Sequence, residues 1–69
     1  MDAPAISILM PVRNEQRYLR GALASLFSQT FRDWELVAVD DGSTDLTPAI
    51  LAAAAAQDRR VRLLRSPGT

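Results

Sequence analysis

The sequence predicts an α/β fold of element order β-α-β-α-β, one half of a doubly wound, mostly parallel sheet. Three observations carry that expectation. Short apolar runs at positions 5–10, 34–39 and 61–65 have the length and composition of buried strands. Two longer segments between them are patterned for helices, and such alternation implies parallel strands joined by crossovers. Finally, Val37-Ala38-Val39-Asp40-Asp41-Gly42-Ser43-Thr44-Asp45 is an apolar run that ends abruptly in two carboxylates and a turn. Ligands of open α/β sheets bind beyond the carboxyl ends of the strands, which makes Asp40 and Asp41 the first candidates for a binding site.

The first strand is expected over Ala5–Met10 and is closed by Pro11, which cannot donate to a sheet ladder. Val12-Arg13-Asn14 is then a loop, with Asn14 as helix N-cap and Glu15 in the positive first turn. Tyr18, Leu19, Ala22, Leu23, Leu26 and Phe27 recur at helical spacing and form one apolar stripe. Gly21 inside that helix costs about 1 kcal/mol relative to alanine, which implies either close packing or a tolerated weakness. Trp34–Val39 forms the second strand. Thr47-Pro48 reads as an N-cap followed by proline at the first helical position, and the alanine-rich segment to Gln57 forms the second helix. Val61–Arg65 is the third strand, and Ser66-Pro67-Gly68-Thr69 is loop. The arrangement is the mononucleotide-binding half of a Rossmann-like sheet.

At 69 residues the chain makes one small domain, and a domain of this size buries only about 60% of its unfolded surface. With no cysteine and no histidine it has neither a disulfide nor a histidine-cysteine zinc staple. We therefore expect a piece of a larger domain. An edge of the sheet that the larger domain would cover is an open row of backbone groups, so the chain is expected to self-associate. Eight cations, all arginine, balance eight carboxylates, which supplies no electrostatic case for nucleic acid or an anionic membrane. The apolar run Ile6–Met10 is too short for a membrane span or a signal segment. The segment reads as cytoplasmic, with membrane association only through segments outside it.

Successive strand residues point to opposite faces, so Asp40 and Asp41 cannot both meet one ligand: one binds and one supports. A carboxylate at a strand end can accept an imide N–H or ribose hydroxyls. The plainer reading is a capped turn in which the aspartates bond their own backbone. Arg13, at the end of the neighbouring strand, is placed to border the same crevice as Asp41 and to stack on a base or pair with phosphate. Its plainer reading is a solvated arginine paired with Glu15 or Asp41. Neither G-x-G-x-x-G nor G-x-x-x-x-G-K-[ST] occurs, and Asp40–Asp45 lacks calcium-loop spacing. Without histidine, a His-based triad is impossible within these residues.

Three ordered motifs resemble a known family. Ile6-Ser7-Ile8-Leu9-Met10-Pro11-Val12-Arg13-Asn14-Glu15, then Ala24-Ser25-Leu26-Phe27-Ser28-Gln29-Thr30-Phe31 with Trp34-Glu35-Leu36, then Val39-Asp40-Asp41-Gly42-Ser43-Thr44-Asp45 look like the amino-terminal part of a family-2 glycosyltransferase with the GT-A fold. The resemblance implies that residues 1–69 are the nucleotide-binding part of a truncated GT-A domain, and that the donor is a nucleotide-diphosphate sugar, taken as a UDP-sugar used in glycan assembly. It implies that Pro11, Val12 and Arg13 line the base pocket, that Asp41 accepts the uracil imide proton with Asp40 beside it, and that Glu15 contacts the nucleotide side. The family often has an aromatic residue where Arg13 stands, so the resemblance implies that ring stacking on the base is either replaced by guanidinium stacking or lost here. The D-x-D motif for Mg²⁺ or Mn²⁺ and the general base are expected beyond residue 69, so no catalytic or metal residue is assigned, and the chain alone is expected to be inactive. Asp40 and Asp45 invite confusion with that metal motif, but they stand beside the base pocket. Two other readings compete: a sugar nucleotidyltransferase-like domain, disfavoured because Pro11-Val12-Arg13-Asn14 has no glycine, and a non-catalytic stand-alone βαβαβ module.

Overall fold

The computed structural model describes residues 3–67. It contains β1 (Ile6–Val12), α1 (Gln16–Phe27), β2 (Trp34–Asp41), α2 (Thr47–Gln57) and β3 (Val61–Ser66). The strands form one parallel sheet in the order β1-β2-β3, with Ile8 beside Leu36 and Leu36 beside Val61. Both crossovers step to the next strand in the same direction, so crossovers of one hand place both helices on one face. That face holds the core. Along β2, Trp34, Leu36, Ala38 and Asp40 are buried, while Glu35, Val37, Val39 and Asp41 alternate with them and are half-buried. Leu19 and Leu23 of α1, and Ile50, Leu51 and Ala54 of α2, close over Leu36 and Ala38.

The opposite face carries no helix among the described residues. Leu9 and Leu64, in register with Val37 and Val39, are 71% and 55% exposed there. The chain is thus one covered half of a doubly wound sheet.

Boundaries differ from expectation where tertiary pairing overrides local signals. Pro11 lies inside β1, opposite Val39, rather than ending it. The Ile6 N–H donates to the Asp33 carbonyl, so alternation turns the Pro11 nitrogen to the outer edge, where no partner strand needs a donor. The second strand likewise runs on through Asp40 and Asp41, and the third through Ser66. Tyr18, placed in the apolar stripe by spacing, is 70% exposed, and Ala22 is exposed as well. Gly21 has nothing within 4 Å of an added Cβ, which identifies it as a tolerated weakness rather than a close approach. Gly68 and Thr69 of the expected terminal loop lie outside the described residues.

At the amino-terminal end of the sheet Trp34, only 4% exposed, stacks with Phe27 at a centroid separation of 6.0 Å. The Arg60 guanidinium lies 3.8 Å from the Trp34 ring centroid. Arg60 is itself held by Asp58 at 2.7 Å and by the Arg32 carbonyl at 3.0 Å. This anchor leaves the carboxyl ends of the strands free to carry a site.

Candidate functional site

The carboxyl ends of β1 and β2 are in register: Val12 pairs with Asp40, so Arg13 and Asp41 are the next residue on each strand end. Alternation along β2 then separates the two aspartates. Asp40 points to the helix-covered face and is fully buried; Asp41 belongs to the opposite face and is half-buried. Asp40 accepts the Ser43 N–H at 3.1 Å through Oδ1, and its Oδ2 stands 3.4 Å from Arg65 Nε. It therefore supports the turn from inside, and Asp41 is the carboxylate offered outward.

Two left-handed residues follow the strands. Asn14 has φ 53° and Gly42 has φ 71°. Asparagine and glycine are the residues that tolerate this region most readily, so each loop leaves its strand at a sharp angle without large strain. Asn14 is consequently not the N-cap of α1. That position belongs to Glu15, whose side chain makes no cap hydrogen bond. In the same way Thr47 is not the cap of α2 but its first residue, with Leu46 at the cap position.

The displaced polar groups bind the two loops to each other. Asn14 N–H donates to Ser43 Oγ at 2.9 Å, and Asn14 Oδ1 accepts Thr44 N–H at 2.8 Å. Glu15 N–H donates to Thr47 Oγ1 at 2.9 Å, although Thr47 is fully buried. Gln16 Oε1 accepts Leu46 N–H at 2.8 Å. Asp45 receives two donors, Thr47 N–H at 2.8 Å and Gln16 N–H at 3.3 Å. Partial desolvation pushes the Asp45 carboxyl upward, but hydrogen bonds from Thr47 and the Gln16 N–H outweigh it and hold the group below its ordinary value.

Of the residues singled out from sequence, Arg13 and Glu15 are exposed, and Arg13 makes no ion pair with Glu15 or Asp41 among the described residues. Pro11 is exposed on the edge strand. Val12 is 7% exposed and belongs to the core, so only its backbone faces the strand ends freely. Asn14, Ser43, Thr44, Asp45 and Thr47 escaped the sequence reading as a connected set. A trace existed in Asp45-Leu46-Thr47, where an aspartate two residues before a threonine can bond the later N–H.

Among the described residues no three His, Cys, Asp or Glu gather into a metal-holding group. Asp40 faces Ser43 and Arg65, and Asp45 is engaged by two backbone donors, so these residues do not fit Mg²⁺ or Mn²⁺. Two concavities lie away from the strand ends. One of about 350 Å³ runs between the helices beside Leu23, Phe27, Leu46 and Ile50. Another, of about 250 Å³, is lined by Ile6, Ile8, Leu26, Gln29, Phe31 and Trp34.

Known proteins resemble this chain in fold and in sequence. A mannosyltransferase from Pyrobaculum calidifontis, PcManGT, described in complex with GDP-Man and Mn²⁺, superimposes with a TM-score of 0.83 at 23% identity, over all of this chain and 21% of its own. An uncharacterized glycosyltransferase of Haemophilus influenzae is 40% identical over 67 residues, which span 97% of this chain and 27% of that protein. The putative glycosyltransferase EpsH of Bacillus subtilis is 39% identical over 64 residues, 93% of this chain and 19% of EpsH. The chain thus spans roughly a quarter or less of the relatives it matches. The profile of glycosyl transferase family 2 matches residues 7–69, and the chain belongs to that family.

Proposed function

We propose that residues 1–69 form the donor-nucleotide-binding part of a longer inverting glycosyltransferase, which transfers a sugar from a nucleotide-diphosphate sugar to an acceptor hydroxyl. The observation that carries this reading is the register of β1 and β2, which brings Arg13 and Asp41 to adjacent strand ends while Asp40 is withdrawn into the core. Asp41 accepts an imide N–H from the base. Arg13 stacks on the base or pairs with phosphate, Pro11 and the Val12 backbone border the base, and Glu15 flanks the nucleotide. A carboxylate acceptor selects bases with an imide-type N–H, which uracil and guanine have and cytosine and adenine lack. UDP is the first donor nucleotide to test and GDP the second.

Transfer with inversion needs a base to deprotonate the acceptor and a group to neutralise the departing diphosphate. Neither is assigned to this chain, so it binds donor without turning it over. A divalent cation, Mg²⁺ or Mn²⁺, would be held by residues outside it. No helix among the described residues is long and apolar enough to cross a membrane. A cytoplasmic location, with any membrane contact made by other segments, belongs to the same proposal.

Isothermal titration of the full chain with UDP, GDP and CDP tests the reading. UDP or GDP should bind and CDP should not, and Asp41→Ala should weaken binding about tenfold or more, the range for a hydrogen bond to a charged group. Equal affinity for wild type and Asp41→Ala would show that Asp41 does not hold the base.

A further inference from the structure

We propose that Asp45 is a positioning residue for this site: one carboxylate that seats the first turns of α1 and α2 together and so fixes the loop carrying Arg13 against the strand end carrying Asp41. The inference rests on the donor-site reading and adds a residue that touches no ligand.

Each helix begins with backbone N–H groups that lack intrahelical partners and with the positive end of its dipole. Packing two such ends side by side is unfavourable unless an anion stands between them. Neither cap position supplies a side-chain acceptor, since Glu15 and Leu46 make no cap hydrogen bond. Asp45 serves both helices instead. Its Oδ1 takes the N–H of Thr47, the first residue of α2, and its Oδ2 takes the N–H of Gln16, the first residue of α1. Gln16 Oε1 in return accepts Leu46 N–H, and Asn14 and Glu15 make further bonds with Ser43, Thr44 and Thr47. A further bond, from Ser43 N–H to the buried Asp40, ties this clasp to the strand that presents Asp41.

A chemical consequence follows for the ligand. Many nucleotide-binding folds place pyrophosphate on a helix N-terminus. Here the first N–H of both helices is already taken by Asp45, an anion of the chain's own. These two N–H groups are therefore not offered to the diphosphate of the donor.

The test compares Asp45→Ala and Asp45→Ser with wild type in the full chain, using UDP and GDP titrations and amide hydrogen exchange without nucleotide. Serine retains a short acceptor for Thr47 N–H but cannot span to Gln16. Asp45→Ser should keep a melting temperature near that of wild type, lose protection at the Gln16 amide, and bind nucleotide about tenfold more weakly. Asp45→Ala should lose both, and added formate, a carboxylate small enough for the vacated space, should restore part of its affinity. Unchanged Gln16 protection in Asp45→Ala would overturn the clasp. Wild-type affinity in both variants would overturn the positioning role alone. A wild-type chain that binds neither UDP nor GDP would overturn the donor-site reading, and with it the role given to Asp45 there.

Discussion

Asp58 and Arg60 show how much a single contact can be asked to do. The Arg60 guanidinium holds the Asp58 carboxyl below its ordinary value, chiefly through their hydrogen bond, and Asp58 in turn raises Arg60. Because the folded carboxyl is the more acidic, the folded chain binds fewer protons than the unfolded chain in acid. The stabilisation is complete above the unfolded value of 3.8 and disappears as pH falls through the lower folded value. Asp58→Asn should cost about 1 kcal/mol at neutral pH, and the difference from wild type should vanish in strong acid. Chemical denaturation between pH 7 and 2 would reveal the convergence; a constant difference would mean that the carboxylate charge is irrelevant. Asp40 is a different case. Its buried Oδ2 has no hydrogen-bond partner among the described residues, and Arg65, itself 59% exposed at the side chain, answers it only as an ion pair at 3.4 Å. Residue identity made Asp40 and Asp41 equally conspicuous, but only the pleat of β2 decides which one faces outward.

At the level of elements, α1 and α2 obtain their stability in different ways. α1 buries Leu19 and Leu23 and leaves Tyr18, Arg20 and Ala22 to solvent, an amphipathic helix with a narrow apolar seam. α2 is apolar nearly all round, and its alanines combine high helix propensity with close approach to the sheet. Gly21 is the weak point of α1. Since an added Cβ meets nothing within 4 Å, Gly21→Ala should stabilise the chain by about 0.5–1 kcal/mol, read from the denaturation midpoint. A loss of stability would reveal a backbone requirement at Gly21 that the packing does not show. Element types were legible from periodicity and composition because those patterns reflect which face is buried. The caps were not. Asn14 and Thr47 have the right chemistry for N-caps, yet their acceptors are claimed by residues of the other loop, about thirty positions away.

For the molecule as a whole, the unclad face is decisive. β1 is an edge strand with outward backbone groups at Ser7 and Leu9, and Leu9, Val37, Val39 and Leu64 form an apolar strip beside it. Open edges beside exposed apolar surface promote association. We expect the chain on its own to form dimers or larger species by size-exclusion chromatography with light scattering, and Leu9→Arg to shift it toward monomer. A wild-type monomer across the micromolar range would count against an edge-mediated contact. In the relatives, which are several times longer, further chain is available to cover this surface.

Composition, periodicity and three ordered motifs were enough to specify the β-α-β-α-β order, the parallel sheet and the family, because hydrophobic spacing and turn chemistry are local properties of the chain. The strand register, the burial of Asp40 against the outward placement of Asp41, and the clasp around Asp45 came only from the tertiary structure. They depend on which distant backbone groups are brought within hydrogen-bonding reach, and no local pattern of residues encodes that distance.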